Sequence, residues 1–85
     1  MDVSFTSEAF TSFLEWQKTD KQIFKKIKAL IINACREPFT GLGKPEPLKH
    51  GLSGCWSRRI TDEHRLVYTV EQDTIKIISC KYHYS

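Results

Sequence analysis

Glu46 stands between Pro45 and Pro47, Arg65 opens an apolar run just after Glu63-His64, and His83 lies between Tyr82 and Tyr84 near the C-terminus. A carboxylate, a guanidinium and an imidazole are the groups needed to cut RNA without a metal. A base takes the 2′-hydroxyl proton, cations hold the charge that builds on phosphorus, and an acid protonates the leaving oxygen. The flanking pyrrolidine rings restrict the backbone on both sides of Glu46 and so fix where its carboxylate points. Arg58 and Arg59 precede Arg65 across a short polar turn, so guanidiniums gather at one end of a hairpin, although alternation lets at most one of Arg58 and Arg59 face a given surface. Their planar forks match phosphate oxygens. The His83 imidazole suits a general acid near neutral pH, and the tyrosines beside it can stack on a base or touch a phosphate. Each residue also has a plainer reading: Glu46 as a solvated loop glutamate, Arg65 as a surface partner of Asp62 or Glu63, His83 as a polar residue at a sheet end.

The elements that must position these groups follow from periodicity. Ser7 is a plausible N-cap, and Phe10, Phe13, Leu14 and Gln17 follow at helical spacing, which predicts an amphipathic helix over residues 8–18. Thr19-Asp20-Lys21-Gln22 fits a capping box and starts a second helix. Ile23, Phe24, Ile27, Leu30, Ile31 and Ala34 keep i, i+3, i+4 spacing, and Pro38 stops that helix. Residues 37–53 hold all three prolines and three of the four glycines, which predicts a loop with rigid turns. Residues 55–60, 65–70 and 74–81 read as three strands of an antiparallel meander, with Val3-Ser4-Phe5 as a further edge strand. The expected fold is therefore α+β, one domain over residues 1–85, with two N-terminal helices packed on an antiparallel sheet of three or four strands. A geometric condition attaches to the site. A two-residue loop at Gln72-Asp73 sets Arg65 opposite Cys80 and leaves His83 on the other face, so convergence needs a longer loop, a bulge, or a tail that has left the ladder.

Composition narrows the setting. Eighty-five residues suffice to bury roughly 60 to 65% of the unfolded surface without disulfides or metals. The chain is 40% hydrophobic, and its longest apolar run, Ala29-Leu30-Ile31-Ile32, is too short to span a bilayer. With neither a membrane segment nor a secretory signal at Met1-Asp2-Val3-Ser4, a cytoplasmic location is expected. Cys35, Cys55 and Cys80 are odd in number and widely spaced, which suggests buried free thiols rather than a disulfide framework or a zinc site. Thirteen Lys and Arg against ten Asp and Glu give a net charge of +3, and the cations from Lys44 onward suit a polyanion such as nucleic acid. Glycine-rich phosphate loops, H-E-x-x-H and magnesium-type carboxylate clusters are absent from the sequence.

Several blocks in order carry a family resemblance: Glu15-Trp16-Gln17 with Thr19-Asp20-Lys21, Pro38-Phe39, Gly43 to His50, Leu52-Ser53-Gly54, Trp56 to Thr61, Glu63 to Tyr68, and Tyr82-His83-Tyr84. The sequence resembles the YoeB toxins of the RelE-like family, bacterial mRNA interferases paired with an antitoxin. The resemblance implies two helices on an antiparallel sheet and a ribosome-dependent endoribonuclease that cuts mRNA in the decoding site, with no metal and no cofactor. By the same carry-over Glu46 is the general base, Arg65 the transition-state clamp, His83 the general acid and Tyr84 a substrate-positioning residue, with Lys49 and Arg59 as phosphate contacts. Implied products are a 2′,3′-cyclic or 3′-phosphate and a 5′-hydroxyl. Implied partners are mRNA and the ribosome, a YefM/Axe-type antitoxin, operator DNA only through the antitoxin complex, and a second copy in a homodimer. Two readings compete with it, a non-catalytic basic module that binds RNA or acts as an operator corepressor, and an interaction domain for an acidic protein segment.

Overall fold

The computed structural model describes residues 1–82. Strand β1 (Asp2–Phe5) leads into helices α1 (Ser7–Thr19) and α2 (Lys21–Arg36). A loop then reaches the two-residue strand β2 (Glu46–Pro47), a single 3-10 turn over His50–Leu52, and strands β3 (Trp56–Arg59), β4 (Arg65–Glu71) and β5 (Thr74–Ser79). The sheet order is β1-β5-β4-β3-β2, antiparallel throughout except where β1 runs parallel to β5. The α+β class and the two helices are as expected, while the sheet gains a fifth strand inside the proline-rich loop and becomes mixed. Pro47 is tolerated in β2 because this is an edge, where a missing N–H costs no ladder bond.

Both helix caps sit one residue from where the sequence puts them. Thr6, not Ser7, caps α1, its hydroxyl accepting from the Ala9 N–H at 3.1 Å. Asp20, not Thr19, caps α2, its carboxylate accepting from the N–H groups of Gln22 and Ile23. The Thr19 hydroxyl instead donates back to the Glu15 carbonyl at 3.0 Å. Asp20 has extended backbone and ends α1 as well, and a carboxylate there also complements the positive end of α2.

The core lies between the helices and one sheet face. Ile27, Leu30, Ile31 and Ala34 of α2, with Ala9 of α1, pack on Leu66 and Tyr68 of β4 and Ile75 and Ile77 of β5. Each buried Ile or Leu among them contributes on the order of 1.5 to 3 kcal/mol. Gln72 and Asp73 close the β4-β5 hairpin as a two-residue loop, both at positive φ, with Glu71 paired to Thr74. A bulge follows: Tyr68 pairs with Ile77, but Val67 pairs with Ser79, leaving Ile78 as the extra residue. That one residue reverses which side chains of the last strand share the face of Arg65. Beyond Ser79 the chain has left the ladder, yet the Arg65 N–H still donates to the Tyr82 carbonyl at 2.9 Å.

Candidate active site

The sheet face turned away from the helices collects the charged candidates. Directly paired residues share a face, and the register pairs Glu46 with Ser57, Ser57 with Val67, and Arg59 with Arg65. Glu46, Arg59 and Arg65 therefore stand on one side of the sheet, the carboxylate two strands from Arg65, about 10 Å across two strand spacings. Glu46 is paired with Ser57, so it is also offset by two residues along the strands from the Arg59–Arg65 pair. The β2-β3 pairing continues to the Leu48 N–H, bonded to the Cys55 carbonyl at 2.9 Å, and Lys49 follows as the extended residue before the 3-10 turn. Lys49 thus lies along the chain on the side of Glu46 away from Arg59 and Arg65. His83 and Tyr84 lie outside the described residues.

Arg58 and Arg59 part ways across the pleat of β3. Arg59 is exposed, whereas Arg58 is 0% exposed and spends all five donors inward. Its Nε donates to the Tyr68 hydroxyl at 2.9 Å, one terminal nitrogen to Asn33 Oδ1 and the Leu42 carbonyl, the other to the carbonyls of Glu37 and Thr40. The Tyr68 hydroxyl in turn donates to the Pro38 carbonyl at 2.7 Å. The guanidinium meets the negative end of the α2 dipole and a ring of carbonyls instead of a carboxylate, and so stays satisfied when buried. Burial pushes the Tyr68 phenol above its ordinary range, against the opposing hydrogen bond and charge of Arg58.

This buried network positions Glu46. Arg58 holds Glu37, Thr40 and Leu42, and the Arg59 N–H takes the Gly43 carbonyl at 2.7 Å, three residues before the carboxylate. Gly43 has φ +79, and a Cβ there would meet Leu30 Cδ2 at 2.7 Å and the Arg59 carbonyl at 3.2 Å, so any other residue is strained at this approach. The loop expected between α2 and β3 is thus pinned along its first half. Arg58, read from the sequence as a possible phosphate ligand, is the clamp of this loop. A charged residue in a strand otherwise carrying Trp56 and Ser57 gave no sign of burial.

Arg65 carries its own support. Its Nη1 donates to the carbonyls of Thr61, Asp62 and His64, and the Thr61 hydroxyl stabilises that turn by accepting from the N–H groups of Glu63 and His64. Among the described residues neither Asp62 nor Glu63 pairs with it, so a guanidinium oriented by neutral carbonyls keeps its charge for an anion. Beside it His64, 7% exposed, and Trp16 make contacts that no sequence motif announced. Among the described residues no three His, Cys, Asp or Glu side chains group as metal ligands, and no helix is long and apolar enough to cross a membrane.

Known proteins share both the sequence and the frame. Residues 5–84 match the family described as YoeB-like toxin of bacterial type II toxin-antitoxin system. Toxin YoeB of Escherichia coli K12 is 57% identical over 84 residues, covering 99% of this chain and 100% of that protein. The YoeB/ParE toxin from Agrobacterium tumefaciens superposes with a TM-score of 0.96 at 48% identity, over 99% of this chain and 100% of that one. From Staphylococcus aureus, the YoeB dimer gives 0.92 at 48% identity and the YoeB-YefM complex 0.91 at 47%, each over 99% of this chain and 98% of the other. With fold and sequence both shared over 99% of the chain, it belongs to the YoeB-like toxins of bacterial type II toxin-antitoxin systems.

Proposed function

We propose that this toxin is an endoribonuclease that cleaves mRNA in the ribosomal A site by metal-independent acid-base catalysis. The observation that carries the reading is the placement of Glu46, Arg59 and Arg65 on one sheet face not covered by the helices. Glu46 removes the proton of a 2′-hydroxyl, the 2′-oxygen bonds to phosphorus, and the bond from phosphorus to the 5′-oxygen breaks as His83 delivers a proton to that oxygen. Arg65 holds the charge of the phosphorane, Arg59 and Lys49 hold the flanking phosphates, and Tyr84 positions the nucleotide. The message leaves with a 2′,3′-cyclic phosphate on one fragment and a 5′-hydroxyl on the other, and addition of water to the cyclic ester, breaking its 2′-oxygen–phosphorus bond, gives the 3′-phosphate. No cofactor enters the reaction.

The biological setting is proposed from the relatives. A YefM/Axe-type antitoxin neutralises the enzyme in the cytoplasm, operator DNA is met only through that complex, and the toxin pairs as a homodimer; a YoeB from Staphylococcus aureus forms a dimer and a complex with YefM. A second reading, a non-catalytic ribosome-binding or corepressor module, draws on α2. Residues 18–36 hold Lys18, Lys21, Lys25, Lys26, Lys28 and Arg36 against Asp20 alone, all six cations exposed. Mapping of mRNA 5′ ends in a translation reaction separates the two. Enzyme action gives new ends within decoding-site codons that vanish with Glu46→Ala and His83→Ala; stalled translation with intact message supports the module instead.

A further inference from the structure

Between α1 and Ile78–Tyr82 lies an open cleft of about 270 Å³, lined in part by Glu8, Ala9, Ser12, Ser79, Lys81 and Tyr82. The Thr6 hydroxyl donates to the Ile78 carbonyl at 3.3 Å and the Cys80 thiol to the Ala9 carbonyl at 3.6 Å. Around Tyr82 the hold is denser. The Trp16 indole N–H donates to the Cys80 carbonyl at 3.0 Å, the Tyr82 N–H donates to His64 Nδ1 at 2.7 Å, and the Arg65 N–H donates to the Tyr82 carbonyl at 2.9 Å. Both backbone groups of Tyr82 are therefore taken.

The rings are interlocked as well. Trp16 and His64 meet edge to face at 4.8 Å, His64 and Tyr82 lie 5.4 Å apart, and the Lys81 ammonium sits over both the Trp16 and Tyr82 rings. Because Nδ1 accepts, the ring proton of His64 is at Nε2, which approaches Glu63 Oε1 at 3.6 Å. Tyr82 adopts φ +61 with a side chain 57% exposed, a backbone state disfavoured for an L-residue and not repaid by burial. Strain of that kind persists where surrounding bonds over-determine it. The His64 carbonyl, finally, accepts from Arg65 Nη1 at 3.1 Å, so the residue that grips Tyr82 also touches the proposed phosphate clamp.

We infer that His64 and Trp16 are positioning residues, a latch that fixes the peptide at Tyr82, the residue bonded to the proposed acid His83, relative to Arg65. The inference rests on the reading of His83 as general acid. In that role the latch touches neither substrate nor reacting atoms; it acts by removing freedom from the acid-bearing end of the chain, and a misplacement of about 1 Å at a proton donor costs up to about 100-fold in rate.

The test uses His64→Asn, whose Oδ1 can replace the Nδ1 acceptor, against His64→Gln, which cannot, and Trp16→Phe, which keeps an aromatic ring but loses the indole donor. Each is assayed by single-turnover cleavage on ribosomes programmed with a defined message, with melting temperature as the check on folding, alone and in a His83→Ala background. The expected result is a loss of about 10- to 100-fold in rate for His64→Gln and Trp16→Phe, with ribosome affinity within about twofold and activity largely kept by His64→Asn. In the His83→Ala background the same changes should cost nothing more, because the group they position is gone. Equal losses with and without His83, or Asn and Gln behaving alike, would overturn the latch. A His83→Ala protein that cleaves at the normal rate would instead remove the acid assignment on which the latch depends.

Discussion

Arg58 and Arg59 are chemically identical neighbours with opposite surroundings, and the pleat of β3 alone decides between them. Replacing Arg58 by Ala leaves four carbonyl or amide acceptors and the Tyr68 hydroxyl without their donor and opens a void where a fully buried side chain stood, so a loss of about 3 kcal/mol in unfolding free energy is expected by denaturant titration. Replacing Arg59 by Ala should leave the melting curve unchanged and weaken cleavage. Cys80 gives a pH signature. Burial pushes its thiol from 9.0 up to about 11, with the Lys81 ammonium pulling the other way. A proton held more tightly in the folded than in the unfolded chain gives stability that is complete below about pH 9 and is lost as pH rises through about 11. Melting temperatures measured across that window should fall with pH, and Cys80→Ala should make the fall shallower, leaving the part due to the buried Tyr68 phenol. At this scale the sequence showed which residue types were present and that the two arginines must point apart. It did not show which one was buried, because the partners of Arg58 are backbone carbonyls of a loop some 20 residues away.

The strand that carries Glu46 is short, proline-flanked and at an edge, and it holds its place through the loop before it. Gly43→Val puts a branched side chain at φ +79 and against Leu30, and should cost about 2 to 3 kcal/mol while lowering kcat more than it raises KM, since it displaces the carboxylate rather than the phosphate contacts. A melt and a kinetic titration on one preparation check both parts. Helix α2 was legible throughout because its i, i+3, i+4 pattern is its packing surface. The caps were each one residue off since Thr6-Ser7 and Thr19-Asp20 both offer adjacent oxygen acceptors, and only the backbone angle at the junction chooses. Strand β2 was hidden because prolines signal a loop except at an edge. The bulge was hidden because Ile77 and Ile78 are alike in sequence and differ only in pairing. Deciding whether Arg65 and the chain end meet therefore required the register and could not come from alternation.

The whole molecule presents two cationic surfaces on opposite sides, the sheet face turned from the helices with Arg59 and Arg65 and the solvent face of α2. Residues 18–36 alone carry +5, so the remainder of the chain nets −2 within the total of +3. Among the described residues no lysine of α2 has a carboxylate partner within ion-pair distance, and Lys28 rests on the Phe24 ring at 4.7 Å. A protein seated in a cleft of RNA meets phosphate on both sides, and neutralising about three phosphates per face makes affinity fall steeply with salt. Lys21→Gln, Lys25→Gln and Lys28→Gln together should reduce the slope of log affinity for ribosomes against log salt by about 2, with the chemical step on bound ribosomes unchanged. The measurement that tests the central claim most directly is that chemical step itself: single-turnover cleavage of a defined message on programmed ribosomes by the native toxin, Glu46→Gln and Arg65→Ala, at saturating toxin and with the fragment ends analysed. The expected result is a 2′,3′-cyclic phosphate or 3′-phosphate facing a 5′-hydroxyl, and a rate lowered by about 100-fold or more in each variant while ribosome binding persists. Fragments of the same kind formed at the native rate by Glu46→Gln would contradict it.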